Sequence, residues 1–301
     1  MNGVIVINKE MDFTSFDVVA IVRKTLHKKK VGHCGTLDPN ATGVLPVLVG
    51  NATKAQDIIP NHNKSYVADF RFGFSSDTLD IWGEVTEGTK PSVSKEALFD
   101  VLSQFTGDIM QTPPMFSAVQ KDGVRLYELA RKGIEIERQA RPVTIYTLNL
   151  LEFNEDTQSG KFEVSCSKGT YIRQLIADIA AALSTTAVMT DLVRTSACGF
   201  ELSDAITLDE LRTLCESGEA ESRLMSVESL FVDYDKVIVS EKQAVRFYNG
   251  NPLDIERTRL RDENIVDGKI YRVCDMNNVF LGLGIINAEK NVLKIYKHFE
   301  K

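Results

Sequence analysis

The chain has 301 residues, 43% of them hydrophobic and 26% charged, a balance that excludes disordered and fibrous classes. No segment approaches the roughly 20 apolar residues of a membrane span, and the apolar N-terminal run lacks a basic stretch before it and a small-residue cleavage site after it, so a cytoplasmic location is expected. A net charge of −7 excludes a uniformly basic surface, and five scattered cysteines without a Cys-x-x-Cys pair predict reduced thiols and no metal.

In chain order, the β-branched run Val4 to Ile7 reads as a buried strand. Thr14 or Ser15 can then cap a helix carrying Val18, Val19, Ile21, Val22 and Leu26. A glycine-punctuated loop follows, Gly32-His33-Cys34-Gly35-Thr36-Leu37-Asp38-Pro39, and then the apolar run Val44 to Val49. The loop is therefore held between regular elements. From Ser65 to Phe74 residues alternate, with Tyr66, Ala68, Phe70 and Phe72 on one face, which is strand periodicity. Glu96 to Phe105 reads as a helix, Gln111-Thr112-Pro113-Pro114 as a break, Leu126 to Arg131 as a short helix and Val143 to Phe153 as a strand. Phe162, Val164 and Cys166 alternate again, Lys168-Gly169 turns the chain, and Thr170 stands at the expected N-cap of a helix carrying Ile172, Leu175, Ile176, Ile179 and Leu183. Acidic residues crowd from Glu201 to Glu241, whereas Lys28 to Lys30 and the stretch from Lys121 to Arg141 are basic, so one face could still attract RNA. Short strand-like runs from Val237 onward, split by Asn249-Gly250-Asn251-Pro252 and Asn277-Asn278, predict a small β-rich module. The fold class is α+β, with boundaries expected at 1–229 and 230–301.

Chemistry centres on Asp38. A carboxylate before proline, flanked by glycines, is presented in a fixed extended pose, which suits a nucleophile and equally suits a turn-capping aspartate. Arg173, in the first turn of its helix, meets the positive end of the macrodipole and wants an anion; Asp38 is one candidate and any surface acid another. Tyr66 and Tyr171 could stack a base or fill the core. His33 could be satisfied within its loop, and Lys54 could be a solvated helix residue.

Taken together, several blocks resemble the bacterial tRNA pseudouridine synthase family TruB. They are Gly32 to Leu45, Lys64-Ser65-Tyr66, Ser76 to Asp80, Pro113 to Ala118, Leu126 to Arg131, Ser167 to Arg173, and Leu192 to Thr195, in that family's order. The resemblance implies a pseudouridine synthase fold: a mixed, largely antiparallel central sheet flanked by helices and loops, with a PUA-like C-terminal domain. It implies isomerisation of uridine 55 in the TΨC loop of tRNA, with Asp38 as nucleophile, Arg173 as its partner, Tyr66 and Tyr171 in the active site, and His33, Lys54 and Leu192 as further substrate contacts. No cofactor, metal or guide RNA is implied, and a monomer is expected. Cys34 departs from the small residue or threonine usual at its position, and Glu10, Phe116 and Gln120 depart elsewhere. Rival readings are a noncatalytic RNA-binding or RNA-folding protein on the same scaffold, a synthase for another RNA site, and a glycosidase; the last fits less well, because that chemistry wants two acids and the matched site supplies one.

Overall fold

The computed structural model describes residues 1–89 and 92–299 of the chain. Strand β1 (Gly3–Lys9) is buried nearly throughout, as its unbroken apolar sequence requires. Helix α1 (Ser15–Thr25) begins at a complete capping box, in which the Thr14 hydroxyl accepts from Asp17 N at 3.0 Å and the Asp17 carboxylate accepts from Thr14 N at 2.8 Å. The chain returns through β2 (Val31–His33) and β3 (Thr42–Val49), which pair antiparallel with each other, β1 lying on β3 as well. The candidate loop thus spans a short gap between two hydrogen-bonded strands.

Five further strands complete the long path of the main sheet: β4 (Lys64–Phe72), β5 (Gly107–Gln111), β6 (Arg141–Asn154), β7 (Ser159–Cys166) and β8 (Ala187–Ala197). Their order is β1-β3-β8-β4-β7-β6-β5, with β2 on β3 and the short β9 (Phe200–Glu201) on β8. Only the β3–β8 pairing is parallel in this nine-stranded sheet, among the described residues. The alternation expected in β4 holds. Tyr66, Ala68, Phe70 and Phe72 are all buried, and the Phe70 ring stacks on Phe162 of β7 at 4.3 Å between centroids.

Helix α2 (Lys95–Leu102) starts under Ser94 and passes into a 3-10 turn over Ser103–Phe105, so the expected helix 96–105 is two elements. Helix α3 (Leu126–Ala130) is short, as predicted. Helix α4 (Ile172–Ala182) lays Ile172, Leu175, Ile176 and Ile179 against the sheet; full burial of such aliphatic side chains contributes about 1.5–3 kcal/mol each. Thr170 does not cap it. Gly169, at φ +87°, turns the chain as the pattern suggested, but the N-cap falls one residue later than expected, on Tyr171, and the Thr170 hydroxyl donates instead to Ser167 O.

After α5 (Leu208–Glu216), a second sheet of five strands forms from β10 (Asp235–Ile238), β11 (Leu253–Asp254), β12 (Ile270–Cys274), β13 (Phe280–Asn287) and β14 (Val292–Lys297), in the order β10-β12-β13-β14-β11. Helix α6 (Glu241–Tyr248) packs against it. Phe231, Leu283 and Phe299 share one apolar cluster with Val4, Val44 and Leu48 of the main sheet. The two sheets are therefore joined by a common core.

Candidate active site

The loop between β2 and β3 hangs on three buried side chains. Ser15 of α1 exchanges two hydrogen bonds with Leu37, accepting from its N–H at 2.9 Å and donating to its carbonyl at 3.1 Å. Lys9, at the end of β1, directs its ammonium into the carbonyls of Glu10, Phe13 and Pro39 at 2.7–2.8 Å. Arg194 of β8, wholly buried, donates to Val44 O, Thr36 O and Gly35 O at 2.7, 3.1 and 3.2 Å. Burying two cations costs several kcal/mol each, and the charge-assisted bonds to carbonyls offset that cost. Burial pulls the Lys9 ammonium down to about 8, against the Asp38 charge, which holds it up. Gly43 permits the arrangement: its φ is +102°, and a Cβ there would run into the backbone of Arg194 where β3 and β8 meet.

Asp38 stands at the outer end of this loop with its side chain 44% exposed. Its Oδ2 lies 2.9 Å from Nη2 of Arg173, a side chain that is itself almost fully buried. The guanidinium has three further contacts: Nη1 donates to Thr78 O at 2.7 Å, Nη2 to Phe116 O at 3.0 Å, and Nε faces Asp80 Oδ2 at 3.7 Å. The expectation that Arg173 needs an anion at the positive end of its helix is met by two carboxylates rather than one. The pairing with Asp38 is a single contact within a four-way fan, not a two-point fork.

Asp80 is positioned by its own loop. The Thr78 hydroxyl and Trp82 N donate to it at 2.6 and 3.1 Å, and burial pushes its carboxyl up while Thr78 and Arg173 oppose the shift. Leu79 between them holds φ +64°, an unfavourable conformation for a leucine. Backbone bonds to Met189 of β8, from Ile81 N at 3.0 Å and to Leu79 O at 3.0 Å, keep it there.

Tyr171 is fixed through its main chain. The buried Gln111 side chain accepts from Tyr171 N at 2.8 Å and donates to Tyr171 O at 3.1 Å, so the end of β5 sets the start of α4. Burial raises the Tyr171 phenol, which faces the buried Ser117 hydroxyl. Tyr66 is more deeply placed. It pairs with Arg194 across β4 and β8, and burial pushes its phenol up to about 12, so it is protonated at neutral pH.

Asp38, Tyr66, Tyr171, Arg173 and Leu192 all line one cleft of about 430 Å³, within the range of small-molecule sites. Lys64, Phe116, Ser117 and Lys168 are among the other residues on its walls. His33 and Lys54 do not line it. The His33 ring is half-buried with its edge against Phe16 at 5.5 Å between centroids, and Lys54 is half-exposed in the 3-10 turn Gly50–Ala55. Sequence reasoning gave no role in the site to Lys9, Ser15, Asp80, Gln111 or Arg194. The signal for two of them was present: Lys9 and Arg194 are cations in or directly after apolar strands, where a charge must find partners. Among the described residues no group of three or more His, Cys, Asp or Glu side chains could hold a metal ion, and no helix is long and apolar enough to cross a membrane.

Residues 23–172 match the family model described as TruB family pseudouridylate synthase, N-terminal domain, and residues 236–293 match that described as pseudouridine synthase II TruB, C-terminal. The chain is 43% identical over 285 residues to a protein of Clostridium perfringens named tRNA pseudouridine synthase B, covering 94% of this chain and 95% of that one. It is 44% identical over 255 residues to a protein of the same name from Bacillus pumilus, covering 83% and 82%. In fold it is similar to a chain in the structure of an H/ACA RNP bound to a substrate RNA containing 2'-deoxyuridine, with a TM-score of 0.75 at 23% identity over 99% of this chain and 85% of the other.

Proposed function

Because the chain belongs to the TruB family of pseudouridylate synthases, we propose that Asp38 is the nucleophile with which it converts uridine 55 of the TΨC loop of tRNA to pseudouridine. The chain is an isomerase that acts on uridine in tRNA. The observation that carries the residue assignment is the 2.9 Å contact between Asp38 and the buried Arg173 at the wall of the cleft.

The reaction breaks the bond from uracil N1 to ribose C1′ and makes one from C5, so the base must be detached, turned and retained. A stacked uridine cannot reach Asp38, and the target is extruded into the cleft, where Tyr66 stacks on it and Leu192 contacts it. Arg173 engages one carboxylate oxygen, fixing the group's orientation while the other keeps its nucleophilic capacity. Tyr171, held at both backbone atoms by Gln111, closes the wall beside Arg173 and helps keep water from the detached base. Closure of that kind separates isomerisation from hydrolysis, which would release free uracil.

His33 and Lys54 lie outside the cleft and serve as contacts to RNA flanking the target nucleotide. Residues 1–229 form the catalytic unit and residues 230–301 a PUA-like unit that touches tRNA away from the reacting base. RNA of this kind is read largely through shape and backbone, so an acidic total charge is compatible with a basic recognition face. The enzyme works in the cytoplasm, as a monomer and without a guide RNA. Sequencing pseudouridine sites in tRNA treated with the purified chain tests the assignment. A single new site at uridine 55 is expected; modification elsewhere, or release of free uracil, contradicts it.

A further inference from the structure

Two thiols meet beneath the loop that carries Asp38. Cys34 opens the loop: its N–H donates to Pro46 O at 3.0 Å and its side chain reaches the cleft wall. Cys198 sits in the tight turn between β8 and β9 at φ +56°, its N–H bonded to Asn63 O at 3.1 Å. The Cys198 sulfur faces the Cys34 carbonyl oxygen at 3.9 Å, which sets the two residues side by side. Both residues are at most 5% exposed and belong to one apolar cluster with Val44 and Leu48. The isomerisation described above uses neither sulfur.

We propose that Cys34 and Cys198 form an oxidation site, closed to a disulfide by a hydroperoxide, and that closure displaces the Asp38 loop and stops turnover. Interaction with the Cys34 side chain, followed by the charges of Lys64 and Arg194, draws Cys198 down to about 7 despite its burial, whereas interaction with Cys198 and burial push Cys34 up. Cys198 is therefore the attacking thiolate. Its sulfur takes one peroxide oxygen, the O–O bond breaks, and the departing hydroxide leaves as water once protonated, giving a sulfenic acid. The Cys34 sulfur then attacks that sulfur, the S–O bond breaks, and hydroxide departs with the Cys34 proton as a second water. In sum, two thiols and one peroxide give a disulfide and two waters, the sulfurs losing two electrons to the peroxide.

A disulfide needs sulfurs about 2.0 Å apart, well inside non-bonded contact. Cys34 N–H is bonded to Pro46 O and Cys198 N–H to Asn63 O, so the approach strains both anchors, and Cys34 lies four residues before Asp38. Displacements near 1 Å at a reacting group cost on the order of 100-fold in rate. A small residue or threonine at position 34, usual in the family pattern, would leave Cys198 without a partner.

The turnover half of the proposal rests on the tRNA reading above, and the covalent half does not. The test is to expose the folded protein to hydrogen peroxide, block free thiols with an alkylating agent, map peptides and assay tRNA isomerisation. Linked peptides containing Cys34 and Cys198 are expected, with turnover reduced at least about tenfold and restored by dithiothreitol. Cys198→Ala, or Cys198→Ser if the alanine variant folds poorly, keeps basal turnover and resists peroxide. Alkylation of both thiols after peroxide overturns the site; a linked pair with unchanged turnover, or a Cys198 variant inactivated as fast as the parent chain, overturns its effect on the loop. If the untreated chain does not isomerise tRNA, the function assignment fails while the peptide map still decides the thiol pair.

Discussion

Arg173 holds Asp38 through one contact, Nη2 to Oδ2 at 2.9 Å, while its other nitrogens are committed to Thr78 O and toward Asp80. The guanidinium is therefore a junction between the Asp38 loop, the Asp80 loop and the Phe116 main chain. A lysine offers one compact ammonium and cannot satisfy partners spread around a plane. Arg173→Lys is expected to lower single-turnover rate by about 100-fold, equivalent to ~2.7 kcal/mol, with tRNA affinity changed only a few-fold. A rate within threefold of the parent would remove the junction from the account.

Asp80 is the second acid on that junction, and Asn is close to it in size. Asp80→Asn keeps acceptors for the Thr78 hydroxyl and Trp82 N but removes the charge that shares Arg173. The rate is expected to fall by about tenfold, less than for Asp38→Asn, because Arg173 still reaches Asp38. Equal losses for Asp80→Asn and Asp38→Asn, measured under single-turnover conditions, would mean that the roles have been divided wrongly.

Lys9 makes a stability prediction with a definite sign. Its folded-state value near 8 lies below the ordinary 10.5, so between those two pH values the unfolded chain binds the extra proton. Stability attributable to Lys9 therefore rises with pH across that window and is flat below it. Comparison of denaturant unfolding for the parent chain and Lys9→Met at pH 7.5 and 10 should show the difference growing in favour of the parent by roughly 3 kcal/mol at most. A difference that shrinks toward high pH contradicts a buried ammonium.

Gly43 and Gly169 both hold positive φ, but only Gly43 faces another backbone. A Cβ at Gly43 meets the Arg194 main chain at the parallel β3–β8 junction, whereas at Gly169 it meets open space. Gly169→Ala should cost about 1–2 kcal/mol, the conformational penalty alone. Gly43→Ala should cost several kcal/mol more and abolish turnover with it, as read by thermal unfolding alongside activity. Similar melting temperatures for the two variants would contradict the close approach.

The sequence makes some of this architecture plain and hides the rest for physical reasons. Strands β1 and β4 were legible because one is apolar throughout and the other alternates cleanly. Strand β8, which lies between β3 and β4, was not read as a strand at all: Asp191 and Arg194 interrupt its apolar pattern, and register shifts at Met189/Asp191 and Arg194/Ser196 break its period. The C-terminal strands were marked by turn residues, but the short helices α5 and α6 were overlooked among the acidic residues that surround them. Within the site, Asp38, Arg173 and the two tyrosines could be named from their motifs. Their supports were not named, because Lys9, Ser15, Gln111 and Arg194 act on backbone carbonyls and amides: a cation in an apolar strand signals that Lys9 and Arg194 need partners, but residue identity does not say which backbone groups these are. Thr170 shows the converse failure, a residue of the right type for a cap displaced by a glycine turn.

The proposal that Asp38 is the nucleophile is tested most directly with tRNA carrying tritium at uridine C5, assayed with Asp38→Asn. The substitution leaves shape, stacking partners and phosphate contacts in place, so binding within a few-fold of the parent and no tritium release above background are the predicted results. Release at a rate near that of the parent chain would show that the carboxylate clamped by Arg173 does no chemistry.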